Sequence, residues 1–286
     1  MTMHGLIEAG GTKFILGVAE ADGRIVARHR LPTTTPDATL GAAIDWFRGQ
    51  GPIDRMGIAS FGPLGLDRAA PDWGHILATP KPDWSMADLA GPFMRAFDCP
   101  VAIDTDVNGA ALAESLWGAG QGVRSCVYLT IGTGIGGGAV VDGRIIGGAG
   151  HPEMGHMRLP RHPDDHAFAG HCPFHGACLE GLASGPAILA RWGASLSDLP
   201  PDGPEQAMIA WYLAQAVTNL QAVLAPGRVI LGGGVMATPG LLARIRTLAD
   251  DLGQGYFATR AADIVVPPGL GADAGLMGAF ALSLTS

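Results

Sequence analysis

The sequence is poor in positive charge. It has 18 Lys and Arg against 26 Asp and Glu, which gives a formal net charge of −8 over 286 residues. Phosphate backbones require a concentrated basic surface for binding. The charge balance therefore argues against a protein whose main partner is nucleic acid.

Cysteine and long apolar runs are also scarce. Four cysteines in a chain of this length do not form the dense pattern of a secreted disulfide scaffold, which favours a reducing compartment. No segment approaches 18 uninterrupted apolar residues, and Met1–Glu8 shows no basic region followed by an apolar stretch. We therefore expect a cytoplasmic protein without a membrane partner.

Apolar residues and glycine, in contrast, are abundant. Hydrophobic residues make up 48% of the chain and charged residues 15%, which is enough apolar material for a large core. The 44 glycines follow no Gly-x-y period, so they exclude collagen and indicate tight turns and close backbone approaches. At roughly 100–200 residues per domain, the length predicts two domains or one large α/β unit.

Two segments about 120 residues apart, 5–26 and 126–146, follow the same order. Each has an apolar stretch, a Gly-Thr turn, a second apolar stretch, an Asp-Gly pair and a third apolar stretch. Asp-Gly supplies the positive φ that tight hairpins need, so each segment predicts three strands joined by turns. Two copies predict two similar α/β domains, and chance recurrence in a Gly-rich chain is the alternative.

The rest of the chain predicts alternating helices and strands, which favours an α/β fold over an all-α or all-β fold. Helices are expected at 40–49, about 107–117, about 205–224 and after Gly271, and strands ending at Ser60 and covering 101–104 and 229–231.

The two Gly-Thr turns have the pattern of a phosphate site. Gly10–Lys13 exposes backbone amides and a hydroxyl where nothing bulky blocks approach, and Gly132–Gly138 repeats the pattern. A plain hairpin is the alternative for either turn alone. Two such turns facing one ligand would hold a chain of phosphates from both sides, which indicates a nucleotide site.

Two carboxylates, Asp104 and Asp106, stand where a predicted strand ends and a helix begins. This is the usual place for ligands in α/β folds. Asp106 has two readings at this point. It caps the helix, or it is a general base that accepts a proton from a substrate hydroxyl attacking a γ-phosphate.

A histidine-rich stretch carries the pattern of a metal site. Cys172, His175 and Cys178 are three ligand types at three-residue intervals, and His156 or His171 would complete a tetrahedral zinc site. A closed site of this kind would be structural, and a loop without metal is the alternative. The site would also fix two flanking acids that can accept hydrogen bonds from sugar hydroxyls or remain solvated, Glu153 and Glu180.

Taken together, these motifs resemble the ROK family of sugar kinases and, within it, the bacterial fructokinase branch. The resemblance spans nearly the whole chain. It is carried by Ile7–Phe14, Gly62–Asp67, Thr79–Trp84, Asp106–Glu114, Thr130–Gly138, His151–His156, Cys172–Glu180, Leu231–Val235 and Gly271–Gly278.

The resemblance implies an actin-like ATPase (ribonuclease H-like) α/β fold with two similar domains around a cleft. One domain would cover 1–118 together with the C-terminal helix at about 272–286. The other would cover 119–271 and include a zinc-binding insertion at 151–180. The family also implies ATP and Mg²⁺ as cofactors, a structural Zn²⁺ and a homodimer.

The same resemblance implies a role for individual residues. Asp106 matches the catalytic base. The sugar-binding positions match Asn108, Glu153, His156 and Glu180. The phosphate and nucleotide positions match Gly11, Thr12, Lys13, Thr133, Gly134, Gly233 and Gly234. The zinc positions match His156, Cys172, His175 and Cys178.

Two departures from the motifs of the wider family favour the fructokinase branch. Glu8 replaces the usual Asp, and the zinc motif is Cys-x2-His-x2-Cys, and both are shared with the fructokinase branch. Asp83, however, replaces that branch's Gly and leaves the local loop conformation open. The expected activity is transfer of the γ-phosphoryl group of Mg-ATP to the 6-hydroxyl of D-fructose. Mannose, glucose and N-acetylglucosamine are alternative substrates, and a non-catalytic sugar sensor is the alternative of another class.

Overall fold

The computed structural model describes residues 2–285 and shows a mixed α/β protein, as expected. The chain forms two compact units. The first comprises Met1–Leu116, Arg144–Pro152 and Leu270–Ser286, and the second comprises Trp117–Gly143 and Glu153–Gly269. Residues 1 and 286, the ends of the predicted N-terminal domain, lie outside the described residues.

The first sheet has the strand order β3-β2-β1-β4-β5. β1, β2 and β3 form an antiparallel meander, and β4 and β5 continue the sheet in parallel with β1. Its strands are β1 (Met3–Ala9), β2 (Lys13–Glu20), β3 (Ile25–Pro32), β4 (Arg55–Ser60) and β5 (Val101–Thr105). The helices of this unit are α1 (Pro36–Arg48), α2 (Gly91–Phe97), α3 (Asp106–Trp117) and α9 (Ala274–Ser283).

The second sheet has the order β10-β9-β6-β7-β8, which is the same topology counted from the other edge. β6 pairs with β7 antiparallel and with β9 parallel, as β1 pairs with β2 and β4. The repeat predicted from the sequence is therefore confirmed. The strands are β6 (Ser125–Ile131), β7 (Ile135–Val141), β8 (Arg144–Ile145), β9 (Arg228–Gly232) and β10 (Val265–Val266). The helices are α4 (Leu179–Ala183), α5 (Gly185–Trp192), α6 (Pro204–Leu224), α7 (Leu241–Gly253) and α8 (Ala261–Ile264).

Local chemistry explains where α1 begins and ends. Pro36 stands at its N-terminus, where the missing N–H is not needed, and Asp37 in the first turn and Arg48 in the last complement the helix dipole.

The loop that follows β4 adopts a left-handed conformation at Asp83, with φ of 67°. Glycine reaches this region without a Cβ penalty, whereas Asp83 adopts it at a steric cost.

Helix α9 packs directly on the first sheet. It is apolar on all sides, and nearly all of its described side chains are buried, as expected for a core helix. Gly57 on β4 permits this close approach, because a Cβ there would lie 1.8 Å from the carbonyl oxygen of Ala279. The absence of a side chain at this position therefore sets the distance between helix and sheet.

Helix α6 is the core helix of the second unit. By length and composition alone it is long and apolar enough to cross a membrane, but 61% of its apolar window is buried inside the protein. A core helix passes the same test. The burial of Ile209, Tyr212, Leu213 and Val217 accounts for the apolar sequence of this helix.

A buried ion pair anchors the histidine-rich stretch to the helices of the second unit. Arg191 on α5 donates two hydrogen bonds of 3.0 Å to the Asp165 carboxylate. Tyr212 on α6 donates a third, of 2.7 Å, and its oxygen accepts the amide of His162 at 3.1 Å. The Arg191 guanidinium also lies over the ring of Phe168, 4.1 Å from its centroid.

Stability is expected to fall as the pH rises from about 10 to 12, the interval between the ordinary tyrosine pKa and the folded value. Burial, reinforced by the hydrogen bond to Asp165, raises the pKa of Tyr212 to about 12. The folded state therefore holds this proton more tightly than the unfolded state. Its contribution to the free energy of unfolding is complete below about pH 10 and is lost progressively as the pH rises to about 12. Urea unfolding at pH 9 and pH 11.5 checks this. Tyr212→Phe should lose less stability between the two pH values, and an equal loss would contradict the assignment to Tyr212.

Candidate functional site

The first candidate surface lies at the carboxyl edge of the first sheet. In the register of the parallel strands, Ala9 pairs with Ser60 and Ser60 pairs with Thr105. β1, β4 and β5 therefore end at the same level. The Gly10–Thr12 turn and Asp106 follow these ends directly, so the fold brings a predicted phosphate turn and the predicted base to one edge of the sheet.

Hydrogen bonds define the Gly10–Thr12 turn. The Gly10 amide donates to the Lys13 carbonyl at 2.9 Å, and the Thr33 hydroxyl donates to the Gly10 carbonyl at 2.7 Å. Thr12 and Lys13 are exposed, and a Cβ on Gly11 would meet open space. The turn is thus held from behind while its outer face remains accessible, as a phosphate-binding turn requires.

Thr105 provides the capping hydrogen bond of α3. Its hydroxyl accepts the amide of Asn108 at 3.1 Å, three residues along, which is the hydrogen bond of an N-cap. Asp106 is the first helical residue, and its Oδ1 accepts the next amide, that of Val107, at 2.9 Å. Because Thr105 makes the capping bond, the sequence's alternative reading of Asp106 loses its main support. The role of Asp106 as base stays a prediction.

Asn108 turns inward beneath this edge. Its side chain is buried, and its amide nitrogen donates to Asp104 Oδ1 at 2.7 Å. Its Oδ1 is buried without a hydrogen-bond partner among the described residues. The predicted contact of Asn108 with a sugar stays a prediction, and what the structure shows is a hydrogen bond that holds Asp104.

Two further carboxylates at this edge have raised pKa values. Burial raises the pKa of Glu8 at the end of β1, opposed by the charge of Lys13. Burial also raises the pKa of Asp104, opposed by its hydrogen bonds to the Asn108 side chain and to the Thr105 amide. Perturbed carboxylates that cluster at one place are typical of functional sites.

The sequence alone indicates no role for His151. In the structure its Nε2 accepts the Leu64 amide at 3.1 Å, which fixes the loop after β4. The neutral tautomer with a proton on Nδ1 fits this hydrogen bond, because an accepting Nε2 carries no proton. The sequence does not reveal this role, because the partner of His151 is 87 residues away in the chain.

The second candidate surface is the corresponding edge of the second sheet. Thr130 on β6 pairs with Gly232 on β9, so the Gly132–Gly134 turn and the Gly233–Gly234 turn emerge side by side. Gly233 has φ of 92°, and a Cβ there would lie 2.4 Å from the Ile131 carbonyl oxygen. Only glycine therefore allows this strand to end so close to its neighbour.

A cavity of about 420 Å³ opens beside these two turns. Its volume falls in the usual range of small-ligand sites. The lining combines apolar side chains, the hydroxyl residues Ser195, Ser197 and Thr238, and residues of the two turns. The lining residues include Gly132, Thr133, Pro186, Leu189, Gly234 and Val235. This combination suits a nucleotide, with its base against the apolar side chains and its phosphates at the Gly-rich turns.

The predicted metal ligands come together in the second unit. The ligand atoms of His156, Cys172, His175 and Cys178 all lie within 4.8 Å of one another. His156 Nδ1 is 3.5 Å from Cys178 Sγ and 3.8 Å from Cys172 Sγ, and Cys172 Sγ is 3.8 Å from His175 Nδ1. A tetrahedral zinc ion with its usual bond lengths needs nitrogen and sulfur ligands about 3.6 Å apart. The four residues fit zinc, with His156 rather than His171 as the fourth member.

The two ring nitrogens of His156 serve different neighbours. Nδ1 faces the cysteine sulfurs, while Nε2 lies 3.9 Å from Glu153 Oε2. A metal-bound histidine commonly directs its other nitrogen to a carboxylate. Both roles predicted for His156, in the metal site and beside the sugar residues, are thus compatible with one ring.

Glu180 lies against the Gly132–Gly134 turn. Its Oε2 accepts the Ile135 amide at 3.0 Å. A Cβ on Gly134 would lie 2.8 Å from the same oxygen. Of the predicted site residues, the second unit brings together Thr133, Gly134 and Glu180, and it places Gly233 and Gly234 at the same sheet edge.

Comparison with known proteins identifies one family over nearly the whole chain. The family model described as "ROK family" matches residues 4–286. A fructokinase from Zymomonas mobilis is 51% identical, and the match covers 99% of this chain and 97% of that protein. A putative fructokinase from Bacillus subtilis is 43% identical, over 98% of this chain and 95% of that protein.

Solved structures give the same picture. A ROK hexokinase from Thermus thermophilus superimposes with a TM-score of 0.80 at 28% identity and covers 99% of this chain and 98% of its own. A ROK-family glucokinase from Streptomyces griseus, solved in complex with glucose and AMPPNP, superimposes with a TM-score of 0.77 at 26% identity. That match covers 100% of this chain and 99% of the glucokinase.

Proposed function

The chain belongs to the ROK family, and we propose that it is a fructokinase that transfers the γ-phosphoryl group of Mg-ATP to the 6-hydroxyl of D-fructose. The main support for phosphoryl transfer is the position of Asp106. It lies at the N-terminus of α3, at the sheet edge that also carries the Gly10–Thr12 turn. The choice of sugar is supported by the fructokinases at 51% and 42% identity, over 99% and 98% of this chain.

In this proposal Asp106 accepts the proton of the sugar 6-hydroxyl while that oxygen attacks the γ-phosphorus and the bond to the ADP oxygen breaks. Such a proton transfer contributes about 10²–10⁴-fold to a rate. Glu153, His156 and Glu180 bind sugar hydroxyls and hold the acceptor in place, and Asn108 supports Asp104 beneath the base. Positioning of this kind replaces a bimolecular encounter by a fixed geometry.

The nucleotide is assigned to the two Gly-Thr turns and the 420 Å³ cavity. The residues proposed to contact it are Gly11, Thr12, Lys13, Thr133, Gly134, Gly233 and Gly234. Bound Mg²⁺ supplies charge neutralisation on the phosphates. Its candidate oxygen ligand in the protein is Glu8, which stands at the end of β1 beside the first turn.

Zinc is assigned to His156, Cys172, His175 and Cys178, where the spacing of the ligand atoms fits it. All four positions are taken by the protein, so the site is closed and structural.

The proposal also includes domains at 1–118 with 272–286 and at 119–271, a homodimer and a cytoplasmic location. Chain mass in solution tests the dimer, and the net charge of −8 supports the absence of a nucleic-acid partner.

ADP release by the purified protein with Mg-ATP is expected to be fastest, in kcat/KM, with fructose. The comparison includes mannose, glucose, N-acetylglucosamine and a blank without sugar. Sugars that differ at one hydroxyl are separated by a few hydrogen bonds, so measurable activity with mannose or glucose is compatible with a fructose preference. A higher kcat/KM for another sugar would reassign the substrate, and no ADP release with any sugar would favour a sensor.

A further inference from the structure

Ile135, the residue that follows the second phosphate turn, is contacted from both sides by residues adjacent to the metal cluster. On one side its amide donates to Glu180 Oε2 at 3.0 Å, and Glu180 follows Cys178 by two residues. On the other side Gly155, the neighbour of His156, packs on its carbonyl. A Cβ on Gly155 would lie only 1.6 Å from that oxygen. Both polar groups of Ile135 therefore lie against segments that carry the metal ligands.

Helix α4 holds Glu180 in this position. The helix begins after Cys178, and Glu180 is in its first turn. The carboxylate reaches the phosphate turn because Gly134 has no side chain, since a Cβ there would lie 2.8 Å from Oε2. The following helix, α5, is attached to the same turn through the Gly185 amide, which donates to the Gly132 carbonyl at 2.8 Å.

A turn that binds phosphate must present its amides in one orientation before the ligand arrives. The hydrogen bond from the Ile135 amide to Glu180 Oε2 has the ordinary length of an N–H···O hydrogen bond, 3.0 Å. By accepting the Ile135 amide, Glu180 fixes the peptide that closes the Gly132–Gly134 turn. Preorganisation of this kind increases affinity, because less ordering remains to be done on binding.

We propose that Glu180 is a positioning residue for the Gly132–Gly134 turn and that the metal cluster fixes Glu180 there. Nucleotide affinity is then set in part by the metal-binding segment, before any sugar is bound. This inference rests on the proposed function, because it takes the turn as the phosphate site of a kinase. It adds a role that the predicted contact of Glu180 with sugar does not include.

The carboxylate has a competing effect, since its negative charge near a phosphate would weaken nucleotide binding. Two substitutions separate the effects. Glu180→Gln keeps an oxygen that accepts the Ile135 amide and removes the charge, whereas Glu180→Ala removes both. A positioning role predicts that only Glu180→Ala weakens binding. A dominant charge effect predicts that both variants bind nucleotide more tightly.

The test is calorimetric titration of the full-length, zinc-loaded protein with Mg²⁺ and the non-hydrolysable analogue AMPPNP, without sugar. Glu180→Ala is expected to raise Kd about 3- to 10-fold, the range for losing one such hydrogen bond. Glu180→Gln is expected to stay within about 2-fold of the unmodified protein. Glu205→Ala is the matched control, because Glu205 is also a first-turn glutamate, on α6. It should leave Kd unchanged.

Metal removal gives the second arm of the test. Chelation, with zinc loss confirmed by elemental analysis and folding by circular dichroism, should raise the Kd for AMPPNP in the unmodified protein. It should raise Kd by a smaller factor in Glu180→Ala, because the two changes remove the same positioning and are not additive. Equal factors in both proteins would overturn the link between metal and turn.

The outcomes separate this inference from the proposed function. An unmodified protein that binds AMPPNP with the same Kd as Glu180→Ala overturns the positioning role and leaves the kinase proposal standing. An unmodified protein that does not bind AMPPNP contradicts the kinase proposal and this inference together. A kinase that prefers another sugar affects neither arm, because no sugar is present.

Discussion

Replacing Asp106 with asparagine is expected to lower kcat by about 10²–10⁴-fold, the usual contribution of a general base. Asparagine keeps the shape of the side chain and the oxygen that accepts the Val107 amide, so α3 should begin at the same residue. The Thr105 hydroxyl continues to cap the helix. What is lost is a carboxylate able to take the proton of the sugar hydroxyl. Steady-state kinetics with fructose and Mg-ATP, together with circular dichroism, measure this.

The matched control is Asp104→Asn, at the neighbouring carboxylate. Asp104 accepts hydrogen bonds from the Asn108 side chain and the Thr105 amide, so the structure gives it a supporting position beneath the base. Its replacement should lower kcat by about tenfold at most, as expected for a residue that does not exchange a proton with substrate. If Asp106→Asn retained kcat within tenfold, Asp106 would not be the base. A larger loss in Asp104→Asn would transfer that role to Asp104.

Replacing Asp165 with asparagine is expected to lower the free energy of unfolding by about 3–5 kcal/mol, the cost of breaking a buried ion pair from one side. The Asp165 and Arg191 side chains are only 3% and 7% exposed. The asparagine NH₂ group would face a guanidinium N–H of Arg191 in either orientation of the amide, since both carboxylate oxygens accept from Arg191. Arg191 would then remain buried without a counter-ion.

Asp164→Asn is the control for this change. Asp164 is adjacent in the chain, but its side chain is 85% exposed, so its replacement should alter stability by less than about 0.5 kcal/mol. Urea unfolding at pH 7 measures both variants. Equal unfolding midpoints for Asp165→Asn and the unmodified protein would show that the ion pair does not stabilise the histidine-rich stretch.

The internal repeat was the most informative part of the sequence. Its two Gly-Thr turns and two Asp-Gly pairs predicted three strands in each copy, and each copy forms three neighbouring strands of one sheet. The helices at 40–49, 107–117 and 205–224 appear at Pro36–Arg48, Asp106–Trp117 and Pro204–Leu224. Helices α2, α5 and α7 were not predicted. Helix α2 has only seven residues, but α5 and α7 do show apolar residues at helical spacing, a signal that the sequence contains.

The metal site shows why some candidate sites can be read from a sequence. Cys172, His175 and Cys178 are close in the chain, and a three-residue interval allows ligands to converge within one loop. His156 is 16 residues upstream of Cys172, and the sequence alone does not decide whether His156 or His171 is the fourth ligand. The structure selects His156, because the turn at Met154–His156 carries its ring to the cysteine sulfurs.

The sequence by itself determined the α/β class, the repeat, the ROK family and the residue types of the candidate site. These follow from patterns within a few residues of one another, where geometry is set by local conformation. Tertiary structure alone decided which distant groups meet: His151 with Leu64, Asp165 with Arg191 and Glu180 with Ile135. The physical reason is that a hydrogen bond between residues 26 to 87 positions apart depends on how whole elements pack. No local pattern encodes that arrangement.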